Sequence, residues 1–110
     1  MNQPNSPLPG AGVAITLDRP RVLRLPFNSL CALGKATGDN PLNPEFWQRF
    51  DDPERLRATL WASLIHEDPT LTIEQAGDLI AVDRVPEIAN ALATAITQAM
   101  PAAKPEAKAA

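Results

Sequence analysis

Apolar and polar side chains alternate along two short segments near the start of the chain. The segments are GVAITLD, residues 12–18, and RVLRL, residues 21–25. A period of two places the apolar side chains on one face of a strand. The pattern therefore predicts a β-hairpin over residues 12–25, which needs helices to cover it because two strands alone are marginal in water. The apolar positions of the hairpin are Val13, Ile15, Leu17, Leu23 and Leu25.

After the hairpin, the apolar residues recur every three or four positions, which is the period of amphipathic helices. The predicted helices cover about residues 28–37, 44–50, 53–66, 73–81 and 85–100. We expect the third helix to be central, because Leu56, Leu60 and Leu64 form a long apolar stripe along it. The predicted fold class is α+β, mainly α: an N-terminal β-hairpin followed by a bundle of four or five short helices.

Local signals mark several helix ends. Asn28 is a candidate N-cap for the first helix, and Asn43, which precedes a proline, is a typical start for the second. Thr72 and Gln75 have the spacing of a capping box. Gly77 lies inside the fourth predicted helix, where glycine costs about 1 kcal/mol relative to alanine. A close approach of two helices at this position would explain it.

The two ends of the chain are poor in large apolar side chains. Residues 1–11, MNQPNSPLPGA, are rich in proline, asparagine and glycine, and residues 101–110, PAAKPEAKAA, contain no large apolar residue. Neither segment can bury enough surface to offset the entropy that ordering would cost. We therefore expect a flexible leader over residues 1–11, one globular domain over residues 12–100 and a flexible tail over residues 101–110.

Two surfaces are candidates for contact with another protein. One is an aromatic group near residue 47, although these rings could instead fill one end of the core. The other is a face of the last helix, where no charged residue occurs from Ile88 to Ala103. A neutral face of small residues suits contact with another chain, and a solvated alanine-rich helix is the alternative. The partner-binding residues that we predict are Phe46, Trp47, Phe50, Ala91, Ala95 and Ile96.

Composition and charge limit the possible partners. A net charge of −3 argues against extensive binding to a phosphate backbone. The only basic cluster, Arg19, Arg21 and Arg24, is typical of a solvated strand edge. Cys31 is the single cysteine, and its apolar neighbours predict a small buried hydrophobe. No apolar run approaches the ~20 residues of a membrane span, so we expect a cytoplasmic protein without nucleic-acid or membrane partners.

The only histidine, His66, is followed directly by Glu67 and Asp68. A zinc or iron site normally collects several nitrogen, sulfur or carboxylate ligands, which one histidine and one cysteine cannot supply in a common cage. Ser63 lies one helical turn away, but nothing marks it as an activated nucleophile. We therefore predict no catalytic residue, no metal and no cofactor. His66 is better explained as a side chain at a helix C-terminus, close to free carbonyls.

One stretch of the chain carries a resemblance to a known family. The sequence LRATLWASLIHEDPTLTIEQAGDLI combines a Leu-Arg-x-x-Leu-Trp-Ala-x-Leu helix with His-Glu-Asp-Pro, Leu-Thr-x-Glu and Gly-Asp-Leu-Ile. With a preceding helix that ends in Thr-Gly, this pattern resembles the tail assembly chaperones of long-tailed bacteriophages and prophages. The resemblance covers about residues 12–99. The matching residues are Leu56, Arg57, Leu60, Trp61, Ala62, Leu64, His66, Glu67, Asp68, Pro69, Leu71, Thr72, Glu74, Gly77, Asp78, Leu79 and Ile80.

The resemblance implies a non-enzymatic role in virion assembly. Members of this family bind the long, helical tape-measure protein in the cytoplasm of the infected bacterium and help to recruit tail-tube subunits. They are absent from the mature virion. Many are made in two forms, the longer one by a programmed ribosomal frameshift, and the Lys/Ala/Pro tail of this chain would fit the short, non-frameshifted form.

Two other functions remain open at the level of sequence. The first is a structural component of the phage tail or connector, which would persist in purified particles. The second is a small DNA-binding regulator, although the carboxylates of Glu74, Asp78 and Glu87 would be repelled by phosphates in a helix-turn-helix arrangement. The sequence does not determine whether the chain associates with itself.

Overall fold

The computed structural model describes residues 12–48 and 52–99. Strand β1, Val13–Thr16, pairs with the antiparallel strand β2, Pro20–Leu23. The helices that follow are α1 Phe27–Thr37, α2 Pro53–Leu64, α3 Ile73–Asp78 and α4 Val85–Ala99, with short 3₁₀ segments at Pro44–Gln48 and Val82–Arg84. The predicted fold class, mainly α with an N-terminal hairpin, is confirmed.

Several predictions fall outside the described residues. They concern the leader over residues 1–11, the tail over residues 101–110, the aromatic residue Phe50 and the end of the last helix at residue 100. The rest of the domain predicted over residues 12–100 is described, apart from residues 49–51.

Helix α2 ends at Leu64, two residues before the predicted end near residue 66. The amides of Glu67 and Asp68 both donate to the carbonyl of Leu64, each at 3.0 Å. These bonds turn the chain immediately before Pro69, which disfavours helical geometry at the residue that precedes it. The helix therefore stops short of Pro69, and residues 65–67 form a turn.

Two other helix ends and the type of one helix also differ from the prediction. Helix α3 ends at Asp78 instead of residue 81, because the next amides bond to carbonyls three residues back and tighten the last turn. The predicted second helix is a 3₁₀ segment that begins at Pro44. Helix α1 begins at Phe27 with Pro26 as its N-cap, so Asn28 lies inside the helix and does not cap it.

The other start and stop signals have the expected geometry. The side chain of Asn43 accepts a hydrogen bond from the amide of Glu45 at 3.0 Å. Thr72 and Gln75 form a complete capping box, with reciprocal bonds of 3.0 and 2.9 Å. Gly38 ends α1 in the left-handed conformation, at φ 77°, which costs a glycine little.

Helix α2 lies at the centre of the fold, as predicted, and packs on two sides. One side contributes larger side chains to a core shared with the hairpin and α4, and the other contributes small side chains to a core shared with α1 and the first 3₁₀ segment. Full burial of each large apolar side chain stabilises the fold by about 1.5–3 kcal/mol. The first core contains Ile15, Leu23, Leu56, Leu60, Leu64, Ile88, Leu92 and Ala95, and the second contains Leu25, Leu30, Leu33, Phe46, Ala58 and Ala62.

Two residues have the opposite exposure to the one predicted. Cys31 is exposed, because it lies about 100° around α1 from Leu30, whose side chain enters the core. Arg21 is only 4% exposed, although it was assigned to a solvated edge. It shares a face of β2 with Leu23, because residues two apart in a strand point the same way, and that face packs against the helices.

Candidate functional site

His66 connects the end of α2 to the hairpin. Its Nε2 lies 2.8 Å from the carbonyl oxygen of Val22. Because a carbonyl only accepts, Nε2 carries the hydrogen and donates it. The hydroxyl of Ser63 donates separately to the carbonyl of Leu60 at 2.7 Å. The side chains of His66 and Ser63 therefore each donate a hydrogen bond to a main-chain carbonyl, as residues with a structural role do.

Arg21 joins two carboxylates beneath the hairpin turn. Its Nε and one terminal nitrogen donate to the two carboxylate oxygens of Asp18 at 2.9 and 3.1 Å, and its other terminal nitrogen lies 3.5 Å from Asp68. The hydrogen bond from Arg21 lowers the pKa of the Asp18 carboxyl, and the same bond raises the pKa of the guanidinium. Arg19 lies 4.0 Å from Asp68. A buried arginine held in this way cannot meet a nucleic-acid phosphate.

The predicted aromatic surface is largely part of the core. Phe46 is 4% exposed, with the guanidinium of Arg55 4.2 Å from its ring centre and the ring of Trp47 4.6 Å away in an edge-to-face arrangement. Trp47 is half-buried, and its indole nitrogen donates to the carbonyl of Pro41 at 2.8 Å. Phe46 is therefore buried in the core and is not available for docking. For this residue, the alternative that the aromatic rings fill one end of the core applies.

The predicted face of α4 is also placed differently. Ala95 is 2% exposed, and both Ala91 and Ile96 are half-buried and pack against the core. Gln98 accepts a hydrogen bond from the amide of Gly12 at 2.9 Å. From Ile88 onward, the face that α4 exposes is neutral and carries Asn90, Ala93, Thr94 and Thr97.

A groove between α2 and α3 is the strongest candidate for a binding site. It has a volume of about 510 Å³, within the range of about 300–1,000 Å³ that is typical of ligand pockets. One wall is the first turns of α2, the other is α3, and the second 3₁₀ segment closes one end. Its lining residues are Pro53, Glu54, Leu56, Arg57, Glu74, Gly77, Asp78, Ile80, Val82 and Val85. We refer to it as the α2–α3 groove.

The α2–α3 groove has an apolar surface and an acidic rim. Val82 is 87% exposed at its end, which is unusual for a large apolar side chain. Three carboxylates line the groove, those of Glu54, Glu74 and Asp78, and within residues 12–48 and 52–99 none of them forms an ion pair. Among the described residues, Arg57 is the one cation that lines the groove. The groove therefore carries an excess of negative charge around apolar side chains.

Gly77 determines how closely the two walls approach. A β-carbon at this position would lie 2.8 Å from Cδ of Arg57 and 3.4 Å from its Cγ. The Nε of Arg57 is buried and has no hydrogen-bond partner. The predicted close approach at Gly77 is thus confirmed, and the stem of Arg57 is the group that needs the space.

Sequence reasoning did not identify this groove as a site. Its residues come from α2, α3, the second 3₁₀ segment, α4 and the loop after α3, and only the packing of these elements brings them together. One signal was present: Gly77 indicated a close helix contact, and six of the seventeen residues that carry the family resemblance line the groove around it.

Comparison of the chain with protein-family models, with curated proteins and with solved structures finds no match. In the described part of the chain, none of the helices combines the length and the apolar character that crossing a bilayer requires. Over the same residues, no group of three or more His, Cys, Asp or Glu side chains is arranged to hold a metal ion.

Proposed function

We propose that this protein is a tail assembly chaperone of a long-tailed phage or prophage, which binds the tape-measure protein and helps to recruit tail-tube subunits. The observation that carries the proposal is the open, apolar α2–α3 groove. Grooves of this kind accept the apolar face of an amphipathic helix. A chaperone for a long helical client needs such a surface, and it needs no catalytic group.

The residues of the family-like motif support the proposal in two ways. Some build the scaffold: Leu60 and Leu64 fill the core, Thr72 caps α3, and His66 bonds to the hairpin. Others line the groove itself, namely Leu56, Arg57, Glu74, Gly77, Asp78 and Ile80. The motif thus supplies both the scaffold of this surface and part of its lining.

The regulator alternative is weakened by the same structure. Arg21, the middle residue of the basic cluster, is buried and bonded to Asp18. The carboxylates of Glu74 and Asp78 lie on the groove, where a nucleic-acid backbone would be repelled. Retention of the purified protein on DNA that weakens with rising salt would contradict this reasoning.

Co-expression with the client tests the proposal. The partner is the long, helix-rich tape-measure protein expected from a neighbouring gene, expressed alone and together with this chain. We expect the client to be insoluble alone and to be recovered in the soluble fraction, bound to this chain, when the two are expressed together. If the client stays insoluble and nothing co-purifies, the chaperone function is wrong.

Mass spectrometry of purified virions separates a chaperone from a structural tail or connector component. A chaperone is present in extracts of infected cells and absent from finished particles. Recovery of this chain from washed particles, in a fixed ratio to the tail-tube protein, would favour the structural component.

A further inference from the structure

We propose that the α2–α3 groove binds one amphipathic helix of the tape-measure protein whose apolar stripe is flanked by lysine or arginine. The inference rests on the proposed function for the identity of the client. The apolar stripe and the basic residues that the client helix needs, however, follow from the residues of the groove alone.

The apolar part of the groove determines how a helix would be held. The apolar residues of the lining are Leu56, Ile80, Val82 and Val85, which come from α2, the loop after α3, the second 3₁₀ segment and α4. A volume of about 510 Å³ accepts a row of side chains and not a whole helix. One row, spaced at i, i+3 or i+4 and i+7, would therefore enter while the rest of the helix stays outside.

The acidic rim determines which helix is preferred. Glu54 and Glu74 lie in the first turns of α2 and α3, where a negative charge also stabilises the helix through its dipole. Asp78 has no such local explanation, because it is the last residue of α3, at the negative end of the dipole. A cation supplied by the client would compensate this placement.

The nearby basic residues do not neutralise the rim. Arg84, the cation of the adjacent 3₁₀ segment, donates to both carboxylate oxygens of Glu87 at 2.9 and 2.8 Å. Arg57 is a single cation against three carboxylates, which leaves two negative charges in excess at the groove. Charge complementarity therefore favours a client helix with Lys or Arg beside its apolar stripe.

A second copy of this chain does not fit the same description. Among the described helices, α3 and α4 contain no lysine or arginine, and α1 contains only Lys35. The two arginines of α2 are Arg55, which is buried, and Arg57, which already lines the groove. The helices described here offer no apolar stripe flanked by two cations, so the matching occupant is another protein.

The test measures binding of two synthetic helical peptides to the full-length protein by fluorescence anisotropy. Both peptides have about 18 residues, five helical turns, and the same leucine stripe. One has lysine beside the stripe and the other has glutamate at the same positions. We expect the lysine peptide to bind about five- to tenfold more tightly, as two or three solvent-exposed charge pairs would give, and the preference to decrease in high salt.

Matched variants locate the binding surface. Val82→Asp should abolish binding of the lysine peptide, whereas Leu42→Asp, at another apolar residue that is 57% exposed, should leave it unchanged. Asp78→Lys should remove the preference for lysine over glutamate, whereas Glu67→Lys, at an exposed acidic residue that does not line the groove, should keep it. Circular dichroism of each variant establishes that the fold is retained.

Several results would overturn the inference. They are equal binding of the two peptides, no binding of either, or an equal loss in Val82→Asp and Leu42→Asp. Sedimentation of the protein alone adds one more: a dimer that dissociates in Val82→Asp would show that a second copy covers the groove.

The co-expression experiment separates failure of this inference from failure of the proposed function. If the client becomes soluble but Val82→Asp and Asp78→Lys solubilise it as well as the unchanged protein, the chaperone function holds and the groove is not its site. If the lysine peptide binds as expected but the client stays insoluble, the groove is a helix-binding site and the chaperone function is wrong.

Discussion

A β-carbon on Gly77 would lie 2.8 Å from Cδ of Arg57, so α3 approaches α2 through the space that a missing side chain leaves. We expect Gly77→Ala to lower the free energy of unfolding by about 1 kcal/mol, because displacing the stem of Arg57 outweighs the gain in helix propensity. In an Arg57→Ala background the same change should instead stabilise by about 0.5–1 kcal/mol. Urea unfolding of the four proteins measures this coupling, and an equal effect of Gly77→Ala in both backgrounds would contradict it.

The hydrogen bond between His66 and Val22 predicts a structural role for the histidine. His66→Ala should lower the free energy of unfolding by about 0.5–1.5 kcal/mol, as for a typical hydrogen bond. The neighbouring exposed residue provides a control: Glu67→Ala should change it by less than about 0.5 kcal/mol. A tightly bound metal in the purified protein that is lost in His66→Ala would show that the histidine is a ligand.

Substitution of Arg21 tests how much its contacts with Asp18 and Asp68 stabilise the fold. Arg21→Met keeps the apolar stem but removes the donors to Asp18 and Asp68, so we expect a loss of about 1–3 kcal/mol, as for hydrogen bonds to charged groups. Arg19→Met removes a charge that is largely solvent-exposed and should cost less than about 0.5 kcal/mol. Thermal or urea unfolding gives both values, and equal effects of the two changes would mean that the burial of Arg21 is unimportant for stability.

The pKa of Asp18 predicts how stability depends on pH. Hydrogen bonding by Arg21 lowers this pKa in the folded state, so the ionised carboxylate favours folding. Its contribution is fully present above the unfolded pKa of about 3.9 and is lost as the pH falls through the lower, folded pKa. The free energy of unfolding should therefore decrease on acidification below about pH 4.

Substitution of Asp18 distinguishes its contribution to the acid-induced loss of stability from that of the other carboxylates. Asp18→Asn should make the acid-induced loss smaller, while Glu67→Gln, which leaves the pair with Arg21 intact, should retain it. Urea unfolding from about pH 7 down to about pH 2 measures how the free energy of unfolding of each variant changes with pH. The assignment fails if Asp18→Asn and the unchanged protein lose stability in parallel.

Local signals in the sequence were sufficient for the order of the hairpin and the helices, although not for every helix end. The alternation of residues 12–25 gave the hairpin, and the Thr72–Gln75 spacing gave the capping box that begins α3. The same period-two pattern places Arg21 beside Leu23 on the inner face, but its charge suggested a solvated edge. The error arose because the carboxylates that make burial of Arg21 possible include Asp68, which is distant in sequence.

The candidate site depended on contacts that no local pattern reveals. Ala95 was assigned to a partner surface from the composition of α4, and only the packing of that helix shows that it is buried. Phe46 was likewise chosen as an aromatic in a short segment, but Arg55 covers its ring. Val82 lies in the short segment between α3 and α4, and its exposure at the end of the groove depends on how these elements pack.

The central claim, that this protein holds a long helical client in solution, is tested most directly by light scattering with purified components. Tape-measure protein is diluted from denaturant into buffer alone, into buffer with this protein and into buffer with an unrelated acidic protein of similar size. We expect scattering to decrease in proportion to the amount of this protein, and a soluble complex of the two proteins to be isolated. Scattering that is the same in all three conditions would contradict the account.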